Sequence, residues 1–247
     1  MPPNPSPRWN TATGANPEHG YRNLTLSYAW GPVLGAVSCR RPDASATVGV
    51  IDGVANTLAQ HGMWMRVLDG NHDFHSGARN AYRADENGVR PLRDLILDWA
   101  DRGAVWEWCG VKFGALGGAH SVDHEERAPG WTWWPNTERP TVDDVDRLVD
   151  RSASQLDVLL SLDCPYAVSI PGIFALVDAN GRLADRSRMV VMSAVERTTP
   201  KLLIHGRYRK RHTNTYAPTR TVVEGLGADV TAHKSGAWVV LNCRRLT

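Results

Sequence analysis

No uninterrupted run of about 18 apolar residues occurs in this chain, so a membrane-spanning helix is not expected. A basic stretch followed by an apolar core near the N-terminus is also missing, which argues against a secretory signal and for the cytoplasm. Cysteine is scarce: Cys39, Cys109, Cys164 and Cys243 show no Cys-Xaa-Xaa-Cys spacing. They read as isolated, reduced thiols rather than a zinc ribbon or a disulfide framework. There is no internal repeat, which excludes solenoid architectures, and the net charge of +2 gives no large excess of either sign.

What is present fits one globular domain. At 247 residues, with 42% hydrophobic and 22% charged residues, the chain is long enough to bury a sizeable core. Its ends differ from the middle. Pro2, Pro3, Pro5, Pro7, Pro17, Pro32 and Pro42 crowd the N-terminal segment, and residues 1–47 have the composition of loop or disordered chain, with the domain proper over 48–247. Residues 201–247 carry nine Lys or Arg against two acids, a formal balance of +7. Residues 141–157 lean acidic, and Val142, Val145, Leu148 and Val149 repeat at helical spacing. This predicts an amphipathic helix capped by Thr141, with its acids on a solvated face.

Other elements follow from period and punctuation. Helices are expected over Ile51–Gln60, stopping at Gly62, and over Pro91–Ala100. Strands are expected over Met63–Leu68, Gln155–Leu162, Lys201–His205, Thr221–Leu226 and Ala237–Asn242. A hairpin is expected from Val105–Trp108 to Val111–Leu116, turning at Cys109 and Gly110. The alternation indicates an α/β fold.

The stretch 63–73 concentrates chemistry. An apolar strand ends abruptly in Gly70, Asn71, His72 and Asp73, which places polar side chains on a rigid support. An Asn amide oxygen is a hard ligand for a divalent cation, and an adjacent imidazole can move a proton near neutral pH. Further on, His75, His120 and His124 stand near other polar segments, and Asp73, His120 and His124 together are candidates for a metal site. His61, His205, His212 and His233 read as structural. Trp131, Trp133 and Trp134 fit packing at a cleft rim or a stacking wall for a nucleobase.

Five stretches taken in order carry a family resemblance: LeuAspGlyAsnHisAsp at 68–73, TrpGluTrpCysGlyValLysPheGlyAlaLeuGlyGlyAla at 106–119, TrpTrpPro at 133–135, AspValLeuLeuSerLeuAspCysPro at 157–165 and ProLysLeuLeuIleHisGly at 200–206. With them the chain resembles the calcineurin-like metallophosphoesterases of the short bacterial and bacteriophage type, over most of residues 50–247. The resemblance implies two packed, mixed β-sheets flanked by helices, and a bacterial or phage-infected cytoplasm. It implies divalent metal ions such as Mn²⁺, with Asn71 as a metal ligand and His72 as the catalytic histidine that contacts phosphate or leaving group.

The chain departs from that pattern at several ligand positions. Leu162 stands where the family has a metal-binding histidine, and Arg207 and Arg209 stand where it has two more. The N-terminal AspXaaHis and GlyAsp stretches do not appear before Met63, so the first ββ unit is divergent or missing; the nearest echo is Asn16 to Gly20. Leucine offers no donor atom, and arginine has no lone pair to lend. On an extended strand Arg207 and Arg209 would share a face, as two phosphate-binding forks or as an exposed basic loop continued by Lys210 and Arg211. The expected function is a degenerate metallophosphoesterase with impaired or no hydrolysis. The alternatives are an active phosphoesterase with a rebuilt metal site and a non-enzymatic basic module. The expected partner is a phosphorylated small molecule or nucleic acid, with no membrane involved.

Overall fold

The computed structural model describes residues 23–27, 44–73, 79–93, 96–130, 132–173, 178–227 and 238–242. His75, Trp131, His233, Cys39, Cys243 and the segment Asn16 to Gly20 lie outside them. In chain order the elements are β1 (Asn23–Ser27), α1 (Ala44–Gln60), β2 (Met65–Leu68), β3 (Val89–Arg93), β4 (Leu97–Ala100), β5 (Val105–Trp108), β6 (Val111–Leu116), a 3₁₀ turn (His124–Glu126), α2 (Val142–Ser152), β7 (Val158–Ser161), α3 (Ala179–Thr198), β8 (Leu202–His205), β9 (His212–Tyr216), β10 (Thr221–Gly225) and β11 (Trp238–Asn242). Among the described residues, no helix is long and apolar enough to cross a membrane.

Two mixed sheets make an α/β sandwich. The larger runs β5-β6-β7-β8-β10-β9 and the smaller β2-β4-β3, with β1 and β11 forming a separate antiparallel pair. Strands β6, β7, β8 and β10 are mutually parallel, so the loops leaving β6, β7 and β8 emerge along one rim. One face of the larger sheet packs Leu116, Leu159 and Leu203 against Val145 and Leu148 of α2 and Val191, Ala194 and Val195 of α3. Its other face meets the smaller sheet, where Phe113, Val158 and Ile204 join Val89 and Ala100. Beyond that, Leu97 and Trp99 pack with Val54 and Leu58 of α1. The order is therefore helix, sheet, sheet, helix.

Several sequence expectations hold for stated reasons. Helix α1 stops where expected: Met63 N donates to Leu58 O (2.8 Å), Gly62 N donates to Ala59 O (3.1 Å), and Gly62 sits at φ +62°, a Schellman closure that favours glycine. The β5–β6 turn has Cys109 and Gly110 both at positive φ, as a two-residue hairpin turn requires. Thr141 caps α2 through a reciprocal box in which Asp144 N donates to Thr141 Oγ1 (3.3 Å) and Thr141 N donates to Asp144 Oδ2 (2.7 Å).

Other expectations need correction. Within the expected helix 91–100, residues 91–93 and 97–100 are not helical but belong to β3 and β4, with Pro91 on the sheet-edge strand where a missing N–H does no harm. Sheet pairing and burial of all four β4 residues override the local helical spacing. Helix α1 begins at Ala44, inside the segment expected to be loop. Asp144 is buried by its capping role rather than solvated on the helix face.

Candidate functional site

The site is built from loops at the strand ends. After β2 the chain turns through Asp69–Asp73, and the Asp73 carboxylate tightens that turn by accepting from Gly70 N at 2.6 Å. After β6 it runs through Gly117–Ser121. The two loops lock together: Gly118 N donates to Asp69 O at 2.9 Å, and Asn71 Nδ2 donates to Ser121 Oγ at 2.9 Å. The approach is so close that a Cβ on Gly117 would lie 2.2 Å from Asp69 Oδ1 and 2.5 Å from its carbonyl oxygen, so only glycine fits. Beneath them Arg102 Nε donates to the buried Asp69 carboxylate at 2.8 Å.

His72 faces Arg127. The guanidinium lies along its Nδ1–Cε1–Nε2 edge, with Nη1 2.7 Å from Nδ1 and Nη2 2.6 Å from Nε2. A neutral imidazole has one lone pair to offer, so one contact is a hydrogen bond and the other a close approach. Burial, reinforced by the Arg127 charge, pushes the His72 pKa down to about 4. At neutral pH this residue holds no extra proton to pass to a leaving oxygen. Arg127 also donates to Asp123 Oδ2 at 2.5 Å and to Thr132 O at 3.1 Å.

The loops leaving β7 and β8 complete the rim. Asp163 is fully buried and accepts from Arg207 Nη1 (Oδ2, 2.9 Å), Tyr208 Oη (Oδ1, 2.5 Å) and its neighbour Cys164 N (Oδ1, 3.0 Å). Burial and the Asp163 charge hold the Tyr208 hydroxyl well above its usual range. The second Nη of Arg207 donates to His120 O. Arg207 and Arg209 do not share the face of a strand, because both have left-handed backbones, at φ +67° and +56°. Arg207 is bound into the fold, whereas Arg209 is exposed.

The His120 and His124 rings lie 5.4 Å apart, but Asp73, His120 and His124 do not bring their ligand atoms together as a metal-binding group of three. His120 uses both ring nitrogens, Nδ1 at 3.2 Å from Glu138 Oε1 and Nε2 at 3.1 Å from Asn180 Oδ1. His124 Nδ1 donates to Ser121 O at 3.1 Å, and its ring lies 4.7 Å from that of Trp133. Trp134 is buried, so it packs rather than forming an open stacking wall. Among the described residues, the group of three that could hold a metal ion is Cys164, His205 and His212, all buried, with ligand atoms within 4.8 Å of one another. From the sequence those histidines read as structural and the cysteine as isolated. They lie at 164, 205 and 212, and their meeting depends on strand order.

A two-metal centre of the kind the resemblance implies does not fit these residues. Leu162 is buried and has no donor atom, and Arg207, which has no lone pair to lend, is spent on an ion pair with the Asp163 carboxylate. Compared with known proteins, the chain matches no family model and no curated protein.

Proposed function

We propose that this chain is a degenerate calcineurin-like metallophosphoesterase that binds a phosphorylated small molecule at the Asn71–His72 loop and does not hydrolyse it. The observation that carries this reading is the ion pair of Arg207 with buried Asp163 at the rim where the Asn71 and His120 loops meet. A guanidinium supplies there the positive charge that metal ions supply in active members, but it cannot activate water. Two further features support the reading: the sandwich of two mixed sheets with helices outside, and the Arg127 guanidinium held against a neutral His72, a charged donor group suited to a phosphate oxyanion. Asn71 gives its amide nitrogen to Ser121, which leaves its carbonyl as the weaker remnant of a ligand set.

The test uses the full chain with added Mn²⁺ and bis(p-nitrophenyl) phosphate, alongside calorimetry with pyrophosphate. The expected result is no turnover above buffer, with pyrophosphate binding weakened about tenfold by Arg127→Ala, the value of one charge-assisted contact. Mn²⁺-dependent turnover that disappears in Asn71→Ala would replace this reading with that of a working enzyme.

A further inference from the structure

Gly225 lies between two histidines. On β10 its register partners are His205 of β8 and His212 of β9. Directly opposed residues project to the same face of a sheet, so the two imidazoles meet over a position that has no side chain. A Cβ there would lie 2.1 Å from His212 Cε1 and 2.3 Å from its Nδ1. Cys164 arrives from the loop after β7, the strand that pairs with β8 on its other side.

The hydrogen bonds determine where the lone pairs point. His205 Nδ1 is 3.0 Å from Gly206 O, and His212 Nδ1 is 3.0 Å from Lys210 O. A carbonyl oxygen only accepts, so each ring carries its proton on Nδ1 and presents a lone pair at Nε2. The two Nε2 atoms are 3.4 Å apart. Facing lone pairs repel at that separation unless a cation lies between them. Donation of Nδ1–H to a backbone carbonyl is also how metal-bound imidazoles are usually oriented. Two nitrogens bound tetrahedrally to zinc at about 2.0–2.1 Å stand about 3.4 Å apart, which matches the observed spacing.

We propose that Cys164 Sγ, His205 Nε2 and His212 Nε2 form a buried zinc site that ties the β7 exit loop to β8 and β9. One thiolate and two neutral imidazoles are borderline-to-soft donors, which favour Zn²⁺ over Mn²⁺ or Mg²⁺. On binding, the Cys164 thiol gives its proton to solvent as the Zn–S bond forms, and nothing is oxidised or reduced. The site shares no ligand with the Asn71, His72 and Arg127 cluster, so it stands whether or not that cluster binds phosphate.

Elemental analysis of the full chain after zinc loading and desalting tests the site, with Co²⁺ substitution as an optical probe. About one zinc per chain is expected, and the cobalt form should show a thiolate-to-metal charge-transfer band. Cys164→Ser should abolish that band, and His212→Gln should lower zinc affinity by more than about 100-fold, since loss of even an outer partner costs up to that much. Folded wild-type protein that retains no zinc and shows no thiolate band would overturn the proposal, as would a band that survives Cys164→Ser. The wild-type spectrum decides the matter even if a variant fails to fold.

Discussion

Two clusters lie against each other where β7 and β8 end, and their chemistry is opposite. At the rim the anionic and lone-pair groups are matched by guanidinium donors: Arg207 on Asp163, Arg127 on His72 and Arg102 on Asp69. Behind it, Cys164, His205 and His212 turn their ligand atoms toward one another, while Arg188 beside them donates to the backbone carbonyls of Cys164 and Val168 and leaves the two facing imidazole nitrogens unmatched. A single peptide bond separates the two, since Asp163 belongs to the first and Cys164, whose N–H it accepts, to the second. A cation site is therefore marked by lone pairs left facing each other, not by the density of polar residues. By that measure the rim, which the resemblance singles out, is the poorer metal site of the two.

The largest expected effect comes from breaking the rim at its centre. Asp163→Ala leaves Arg207 with its charge uncompensated beside the half-buried Tyr208 and should cost about 3–5 kcal/mol in urea unfolding. A cost under about 1 kcal/mol would show that Arg207 swings into water, so that the rim is not a sealed ion pair.

Two glycines then separate the clusters by steric means. Gly225→Ala drives a methyl into the His212 ring, and Gly117→Ala drives one into Asp69. Each should cost about 2–3 kcal/mol, the range for overpacking a filled site. Only Gly225→Ala should abolish zinc retention. If Gly117→Ala abolished it equally, the two clusters would be one cooperative unit and their contrast would lose its meaning.

The sequence made the rim legible and the buried cluster illegible, for a physical reason. Asn71 and His72 are adjacent and follow a short apolar strand, and Thr141 with Asp144 is a local capping pattern; such features depend on neighbours within a few residues. The meeting of His205 with His212 depends on β10 inserting between β8 and β9 and on Gly225 falling at the crossing point, which no local period encodes. The same limit explains β3 and β4. Residues 91–100 have helical spacing, yet Trp99 is buried by pairing with β2, more than thirty positions away by the register Val67 to Trp99. The doubly tied Arg207 was equally hidden, because its left-handed backbone cannot be read from a run of basic residues.

A smaller effect is expected in acid. His72 is held neutral in the fold with a pKa of about 4, whereas in the unfolded chain it protonates near 6.5. The unfolded state therefore binds the extra proton first. The His72 contribution to stability is complete above pH 6.5 and is lost as pH falls toward 4. Since the ring is partly exposed, the loss at pH 5 should stay under about 1 kcal/mol. His72→Gln should flatten this part of the stability profile by that amount, and an unchanged slope would mean that Arg127 does not press on the ring.

The smallest expected effect sharpens the comparison by removing burial while keeping the chemistry. Arg197 and Asp146 link α3 to α2 through the same guanidinium–carboxylate contact as Arg207 and Asp163, at 2.6 Å, but their side chains are 39% and 50% exposed. Water solvates both charges whether or not they meet, and salt screens what attraction is left. Asp146→Asn should therefore shift stability by less than about 0.5 kcal/mol. The two substitutions, compared in one urea series, separate the intrinsic strength of an arginine–carboxylate pair from the consequence of sealing it at the rim. Equal losses at 146 and 163 would mean that burial adds nothing, and the assignment of Arg207 as the fold's replacement for a metal charge would fail with it.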